Sequence, residues 1–402
     1  MNSGAFKSNA GRCAFIGKFS IAVFMLGLVP QQANATTADA QYKQYIVGIC
    51  NTFPAPQGWN VSSVATMCMN VSGAIALPTD VGVSANLGTA NAGSEVTLRK
   101  KKRIRELSDE QKDQPAKGAS SDGGGWGFLI SPQYGNSNRT ETDLENGYQA
   151  NLKGLAAGLD YRFSDSFVLG AILGQTKDTA TFLNNAGSLK TSSNTFNFYG
   201  TYLPSENASI DAYLGYGKLS LDSNRHVAFG SISGTTSGSA SGRQIMAGMS
   251  VSYQKDAGRF NLAPFINLDY IKTSFKAYDE TGTTGLEMHY GDRSTNSFTS
   301  SLGARVSTSY GYDWGALQPS ARLAAVHEFQ NRNREISNEL VSTPGSPFLV
   351  TTDSPDRNYL NLGLGVSAAL NGGTQLFLDY DKRAQDRLLS SWAISLGALM
   401  EF

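Results

Sequence analysis

The sequence predicts an all-β chain in which residues 126–402 close into a 12-stranded antiparallel transmembrane β-barrel, preceded by an α-helix. Three observations predict it. Residues 126–402 fall into successive segments with apolar and polar residues alternating at period 2, the signature of a strand with two unlike faces. Short turn-like joints alternate with long polar ones, so in a meander one end carries tight turns and the other long loops. Charged residues are only 16% and Gly is 43 of 402, yet no apolar run reaches the length of a membrane helix. The balance of 33 basic against 33 acidic side chains argues against a nucleic-acid partner. Three cysteines exclude a disulfide-dense scaffold.

Residues 1–35 read as a signal peptide. Lys7, Arg12 and Lys18 make a basic start without any acid, Phe19 to Val29 is a short apolar core, and Ala33-Asn34-Ala35 is a cleavage site. Export implies an oxidising compartment, and Cys50 and Cys68 are the two cysteines that remain, so a Cys50–Cys68 disulfide is expected. Residues 36–94 form a small N-terminal module, long enough for a stapled unit and too short for a large core.

Residues 95–125 are a helix and a linker. Ser94 is a candidate N-cap, Glu95 suits the positive helix end, and the helical pattern stops before Pro115. The run Arg99 to Arg103 is basic. A solvated face and a basic helix inside a polar pore both fit it, whereas export argues against nucleic-acid binding. Gly118 to Gly125 is flexible by composition.

Strands are expected at 126–135, 147–163, 166–180, 189–203, 208–222, 241–254, 259–275, 295–310, 316–330, 358–370, 374–384 and 388–402. The last puts Trp392, Ile394, Leu396, Ala398, Met400 and Phe402 on one face. The penultimate sets Leu376, Leu378 and Tyr380 against Gln375, Asp379 and Asp381, with Phe377 out of pattern on the polar side. Long loops are expected at 135–146, 223–241, 279–295 and 330–358. An even strand number keeps both barrel ends on the periplasmic side, and closure leaves no bare edge in lipid. Trp126, Tyr134, Trp314, Trp392 and Phe402 suit interfacial girdles.

The basic helix at Leu98 to Leu107, the strand Pro319 to Phe329, the strand Leu376 to Asp381 and the terminal strand ending in Phe402 together resemble the translocator domain of classical, type V autotransporters. The resemblance runs from about Ser94 to Phe402. It implies an outer-membrane barrel with the helix in its pore, linking the barrel to a short passenger-like segment at the cell surface. It further implies that inward-facing Glu328, Asp379, Asp381 and Glu401 hold Arg99, Lys102 or Arg103. Strand alternation by itself puts Arg322 and Glu328 on the lumen face, where they read as a structural pair. Trp392, Ile394, Leu396, Met400 and Phe402 would form the signal read by the barrel-assembly machinery. The implied partners are the outer-membrane bilayer, that machinery and periplasmic chaperones, around a monomer without cofactors. Typical passengers are hundreds of residues long, whereas this one has about 60. The alternative is an outer-membrane channel with a periplasmic or plugging N-terminal segment.

Enzyme chemistry finds little purchase. His289 with Asp292, or Asp222 with His226, could supply half of an acid–base pair, but neither has an evident nucleophile. His327 and Glu328 lie on opposite faces of one strand. No metal-ligand cluster and no phosphate loop is present, so no catalytic, metal or cofactor residue is assigned.

Overall fold

Twelve long strands form the wall of the molecule, seen in a computed structural model that describes residues 38–52, 55–69 and 125–402. The strands are β1 (Gly125–Arg139), β2 (Tyr148–Ser164), β3 (Phe167–Phe182), β4 (Gly187–Ser205), β5 (Ala208–Phe229) and β6 (Ile232–Tyr253). They continue as β7 (Phe260–Phe275), β8 (Arg293–Ser307), β9 (Gly315–Glu328), β10 (Asn358–Leu370), β11 (Thr374–Ala384) and β12 (Leu389–Glu401). Each pairs antiparallel with its chain neighbours, and β12 pairs β1 from Gly127↔Glu401 to Arg139↔Leu389. The sheet is therefore a closed barrel. The predicted signal peptide and the predicted helix with Arg99, Lys102 and Arg103 lie outside the described residues.

The two faces differ as period 2 requires. Leu173, Phe198, Leu214, Leu302 and Leu364 are each more than 60% exposed on the outer face. In water such a band would be a liability; against hydrocarbon it is the required surface. The inner face carries Ser131, Ser193, Asn197, Gln244, Asn267 and Ser395, all buried. Aromatic side chains mark both edges of the band. Trp126 meets Tyr161 at 5.1 Å and Trp314 stacks on Tyr312 at 5.3 Å near the tight turns, while Tyr134 meets Trp392 at 5.8 Å towards the other end.

One end is tight, with turns at 165–166, 206–207 and 371–373. The barrel starts and finishes there, where Trp126 N–H donates to the Phe402 carbonyl at 2.9 Å and receives the return bond at 3.0 Å. The opposite end is elaborated, but differently from the expected long polar loops. The joints at 183–186 and 385–388 are short, so short and long joints do not alternate strictly. The stretch 223–241 is not a loop. β5 and β6 run on as a paired hairpin to a two-residue turn between Phe229 and Ile232, where Gly230 supplies a positive φ of 60°.

The stretches 279–295 and 330–358 are also ordered. Short strands at Phe348–Thr351, Glu335–Leu340, Met288–Tyr290 and Tyr278–Asp279 make a separate four-stranded sheet above the barrel, in that spatial order. A Ser237↔Thr281 bridge ties it to the β6 extension. Two helices, α1 (Ala38–Cys50) and α2 (Val61–Met69), complete the described chain. The described part of the predicted module thus shares its core with the barrel loops.

Candidate functional site

The inner wall is rich in carboxylates, from the tight-turn end upward. Asp160, Asp211, Asp269, Asp379, Asp381 and Glu401 sit at inward positions of β2, β5, β7, β11 and β12. Neighbouring strands hold several of them. Tyr199 donates to Asp160, Thr201 donates to Asp211 at 2.7 Å, and Tyr213 donates to Asp269 at 2.8 Å. Arg162 lies 3.9 Å from Glu401, and Arg322 pairs with Asp381.

The Arg322–Asp381 pair corrects the expected Arg322–Glu328 pair. Six residues along one strand is about 20 Å, beyond side-chain reach. Across the sheet the register runs Arg322↔Gly363↔Asp381, and Gly363 presents no side chain. A Cβ there would come 2.7 Å from the Asp381 carboxylate and 3.1 Å from Arg322 Nε. The glycine is the gap through which the two strands on either side meet. Glu328 sits towards the outer rim. It accepts from Ser297 Oγ and from the Phe298 and Gln330 N–H groups, at 3.0 and 2.8 Å. Phe377 also faces inward, its ring over Gly397, where a Cβ would come 2.0 Å from the ring. Inward glycines opposite large side chains are the signal that an alternation pattern alone overlooks.

The outer end carries a cap. Cys50 and Cys68 are joined by a disulfide that clasps α1 to α2. On α1, Tyr42, Ile46 and Ile49 recur at i, i+4 and i+7, so one stripe is apolar. Asn60 caps α2, accepting from Ser63 N–H at 3.3 Å. The stripe, with Trp59, Val64 and Met67, is buried against Val227 and Phe229 of the β5 tip, Leu286 of the adjoining loop, and Met288, Tyr290 and Leu340 of the loop sheet. Tyr45 stacks on Phe348 at 4.2 Å and donates to the Ser346 carbonyl at 2.7 Å. Asn60 N–H donates to the Ser342 carbonyl at 2.8 Å.

Beneath the cap lies a buried ion pair. Arg225 Nε donates to Glu280 at 3.0 Å, and its Nη2 donates to the Leu286 carbonyl at 2.7 Å. Glu280 also accepts from Met288 N–H at 3.0 Å and from Tyr290 OH at 3.3 Å. All its oxygens are therefore engaged, as a charge this deep requires. A second cluster joins the first outer loop to the longest one. Arg139 lies between Glu145 and Asp353, at 2.8 Å from the latter, and Thr142 donates to Asp353 at 2.6 Å. Burial pushes the Glu145 carboxyl up to about 7, and the adjacent Asp353 adds to the rise that Arg139 opposes.

The histidines are partnered otherwise than the sequence suggests. His289 meets Asp279 at 2.5 Å on the neighbouring strand, while Asp292 accepts from Ala277 N–H at 2.8 Å. His226 contacts the Asn185 carbonyl and His327 contacts Asn358, each at 2.8 Å. Among the described residues no hydroxyl or thiol bonds to any of the three. On the terminal strand Ile394, Leu396, Met400 and Phe402 are exposed on the lipid face, with Trp392 between Tyr134 and Tyr380.

The family model described as Autotransporter beta-domain matches residues 128–381. Outer membrane protein A of Rickettsia conorii is 27% identical over 255 residues, which is 60% of this chain and 12% of that protein. Lipase 1 of Photorhabdus luminescens is 24% identical over 62% of this chain and 38% of its own length. The chain thus matches only a minor part of the curated relatives. Among solved structures, the translocator domain of the autotransporter NalP from Neisseria meningitidis has a TM-score of 0.57 at 15% identity, covering 80% of this chain and all of that one. The β-domain of the Bordetella autotransporter BrkA has a TM-score of 0.52 at 20% identity, covering 70% of this chain and 100% of its own. These two share the fold.

Proposed function

This chain belongs to the autotransporter β-domain family and is an outer-membrane barrel of that type; from that premise we propose that it carries its own N-terminal segment across the outer membrane and keeps it docked on the outer loops. One observation supports this reading above the others. The α1–α2 hairpin packs on loops at the elaborated end, whereas β1 begins at the tight-turn end. By the usual disposition of such barrels, tight turns are periplasmic and long loops external. The segment between Met69 and Gly125 therefore has to join the two ends of the barrel.

Two routes exist, through the lumen or around the wall. The outer route would lay the basic run Arg99 to Arg103 against lipid, at about 2–4 kcal/mol per cation near the midplane. The inner route offers the carboxylates of the wall. In this reading Arg99, Lys102 and Arg103 lie among Asp379, Asp381, Glu401 and the aspartates opposite them, and residues 95–125 fill the pore. Residues 36–94 are then the displayed module and 126–402 the translocator, inserted by the barrel-assembly machinery through the terminal strand after export with a cleaved signal peptide.

The proposed role is transport and display rather than catalysis. Lipase 1 and Esterase EstA of Pseudomonas aeruginosa match over 62% and 46% of this chain, but these matches are only 38% and 29% of those proteins. Pore occupancy is testable by conductance in planar bilayers. The full chain is expected to stay closed, and deletion of residues 95–113 to open it. Equal conductance of the two would contradict a filled lumen and favour an open channel.

A further inference from the structure

The lipid-facing wall carries its charges in one place. On the outward faces of β2 to β7 the cations are Lys153, Lys177, Lys190, Lys218, Arg243 and Lys272, all exposed. All lie on the elaborated side of the apolar band, four of them directly at its edge, with Gln175 between Leu173 and Lys177, and Ser192 and Asn194 between Phe196 and Lys190. Lys153 follows Leu155, Lys218 follows Tyr216, Arg243 follows Ile245 and Lys272 follows Tyr270 on their respective outward rows. The same rows contain one acid, Asp222, which stands opposite Lys190. The outward faces of the other six strands carry a single lysine, Lys382, and no arginine.

The register brings like charges together. Lys153 is directly opposite Lys177, and Lys218 is directly opposite Arg243. Lys272 stands opposite Ile245, one outward position from Arg243. Directly opposed residues on one face are about 5 Å apart at Cβ, and like charges so placed destabilise the sheet. Among the described residues none of the six forms an ion pair. Between the two cationic pairs, Gln175 donates to Asn194 at 3.1 Å, and Asn194 is itself opposite Lys218. A row of donors thus runs around half of the barrel at the height where hydrocarbon gives way to headgroups.

A solvated face would not need its cations opposed in pairs or confined to one edge. An anionic headgroup layer explains both features, because each phosphate accepts from two or three neighbouring cations and removes their repulsion. The spacing favours a headgroup with more than one phosphate. We propose that Lys218, Arg243 and Lys272, extended by Lys153 and Lys177, bind the phosphates of a phosphorylated glycolipid in the outer leaflet. The proposal rests on the elaborated end facing outward, which surface labelling of the hairpin reads independently.

The test uses the full chain purified from outer membranes in mild detergent. Co-purifying glycolipid is quantified for the natural protein and for K218Q/R243Q/K272Q, with heat-modifiable migration as the check on folding. Three lost charge-assisted contacts predict a fall in retained glycolipid of about tenfold or more. Add-back in nanodiscs then compares bis-phosphorylated lipid A with its dephosphorylated form, phosphatidylglycerol and inorganic phosphate. Preference for the bis-phosphorylated lipid supports the site. Equal retention by protein and variant overturns it. So does equal binding of phosphatidylglycerol or inorganic phosphate, which would leave a general anion surface only. Should the triple variant fail to assemble, the single R243Q and the pair K153Q/K177Q give the same reading.

Discussion

Glu145 is held where its protonation matters near neutrality. With its carboxyl at about 7, the folded chain keeps a proton that the unfolded chain loses at ordinary carboxylate values. Stability from this group is therefore highest below that ordinary value, falls as pH rises through the window, and is lost above about 7. E145Q removes the dependence. Comparing unfolding midpoints at about pH 5 and about pH 8 should show a smaller difference in the variant, by on the order of 2 kcal/mol. An unchanged difference would mean the clasp with Arg139 and Asp353 does not titrate. Arg225 gives a sharper test. R225M leaves Glu280 buried without its cation, a loss of about 3–5 kcal/mol. Protease should then cut the α1–α2 hairpin while the barrel still migrates as folded, and R225M/E280L should recover much of the protection. None of these partnerships was legible in the sequence. Arg225 and Glu280 are 55 residues apart, and Arg322 reaches Asp381 only because Gly363 is empty. Sequence neighbours such as Glu328 and Asp292 were nearer in number but bond other groups.

The barrel strands were largely legible and the elements above them were not. Period 2 holds wherever one face meets lipid, so all twelve wall strands lie where alternation puts them, with Phe377 inward as its position requires. Above the membrane the rule lapses. The loop strands are 2–6 residues long, too short for a period, and their partners come from separate loops. The β6 half of the β5–β6 extension is built largely of Ser, Thr and Gly, which read as loop while they pair as hairpin. The cap core escapes notice for the same reason, since its two halves, Tyr42 to Met67 and Val227 to Leu340, are far apart along the chain. The disulfide belongs to this scale. It closes a loop of 18 residues between two short helices, and its removal should cost about 3 kcal/mol. C50S/C68S is expected to make residues 38–69 protease-sensitive without changing the heat-modifiable migration of the barrel. Unaltered resistance would show that the loop sheet alone holds the helices.

At the scale of the whole molecule, the barrel and its N-terminal hairpin form one assembly. Closure through β12 and β1 satisfies every wall strand, and the lipid face of the terminal strand presents Ile394, Leu396, Met400 and Phe402 to the bilayer. The cap buries six side chains of the hairpin on loops that would otherwise expose Met288, Tyr290 and Leu340. In the proposed reading such a docking site gives the N-terminal segment a reason to remain on the far side, since retreat would re-expose that apolar surface. The claim on which this account depends is that the hairpin lies outside the cell. An epitope inserted beside Gly58, in the exposed joint between α1 and α2, and probed by antibody on intact and on permeabilised cells, reads it directly. Labelling of intact cells is the predicted result. Labelling only after permeabilisation would contradict the account, placing the hairpin and the elaborated end in the periplasm and leaving a barrel that displays nothing.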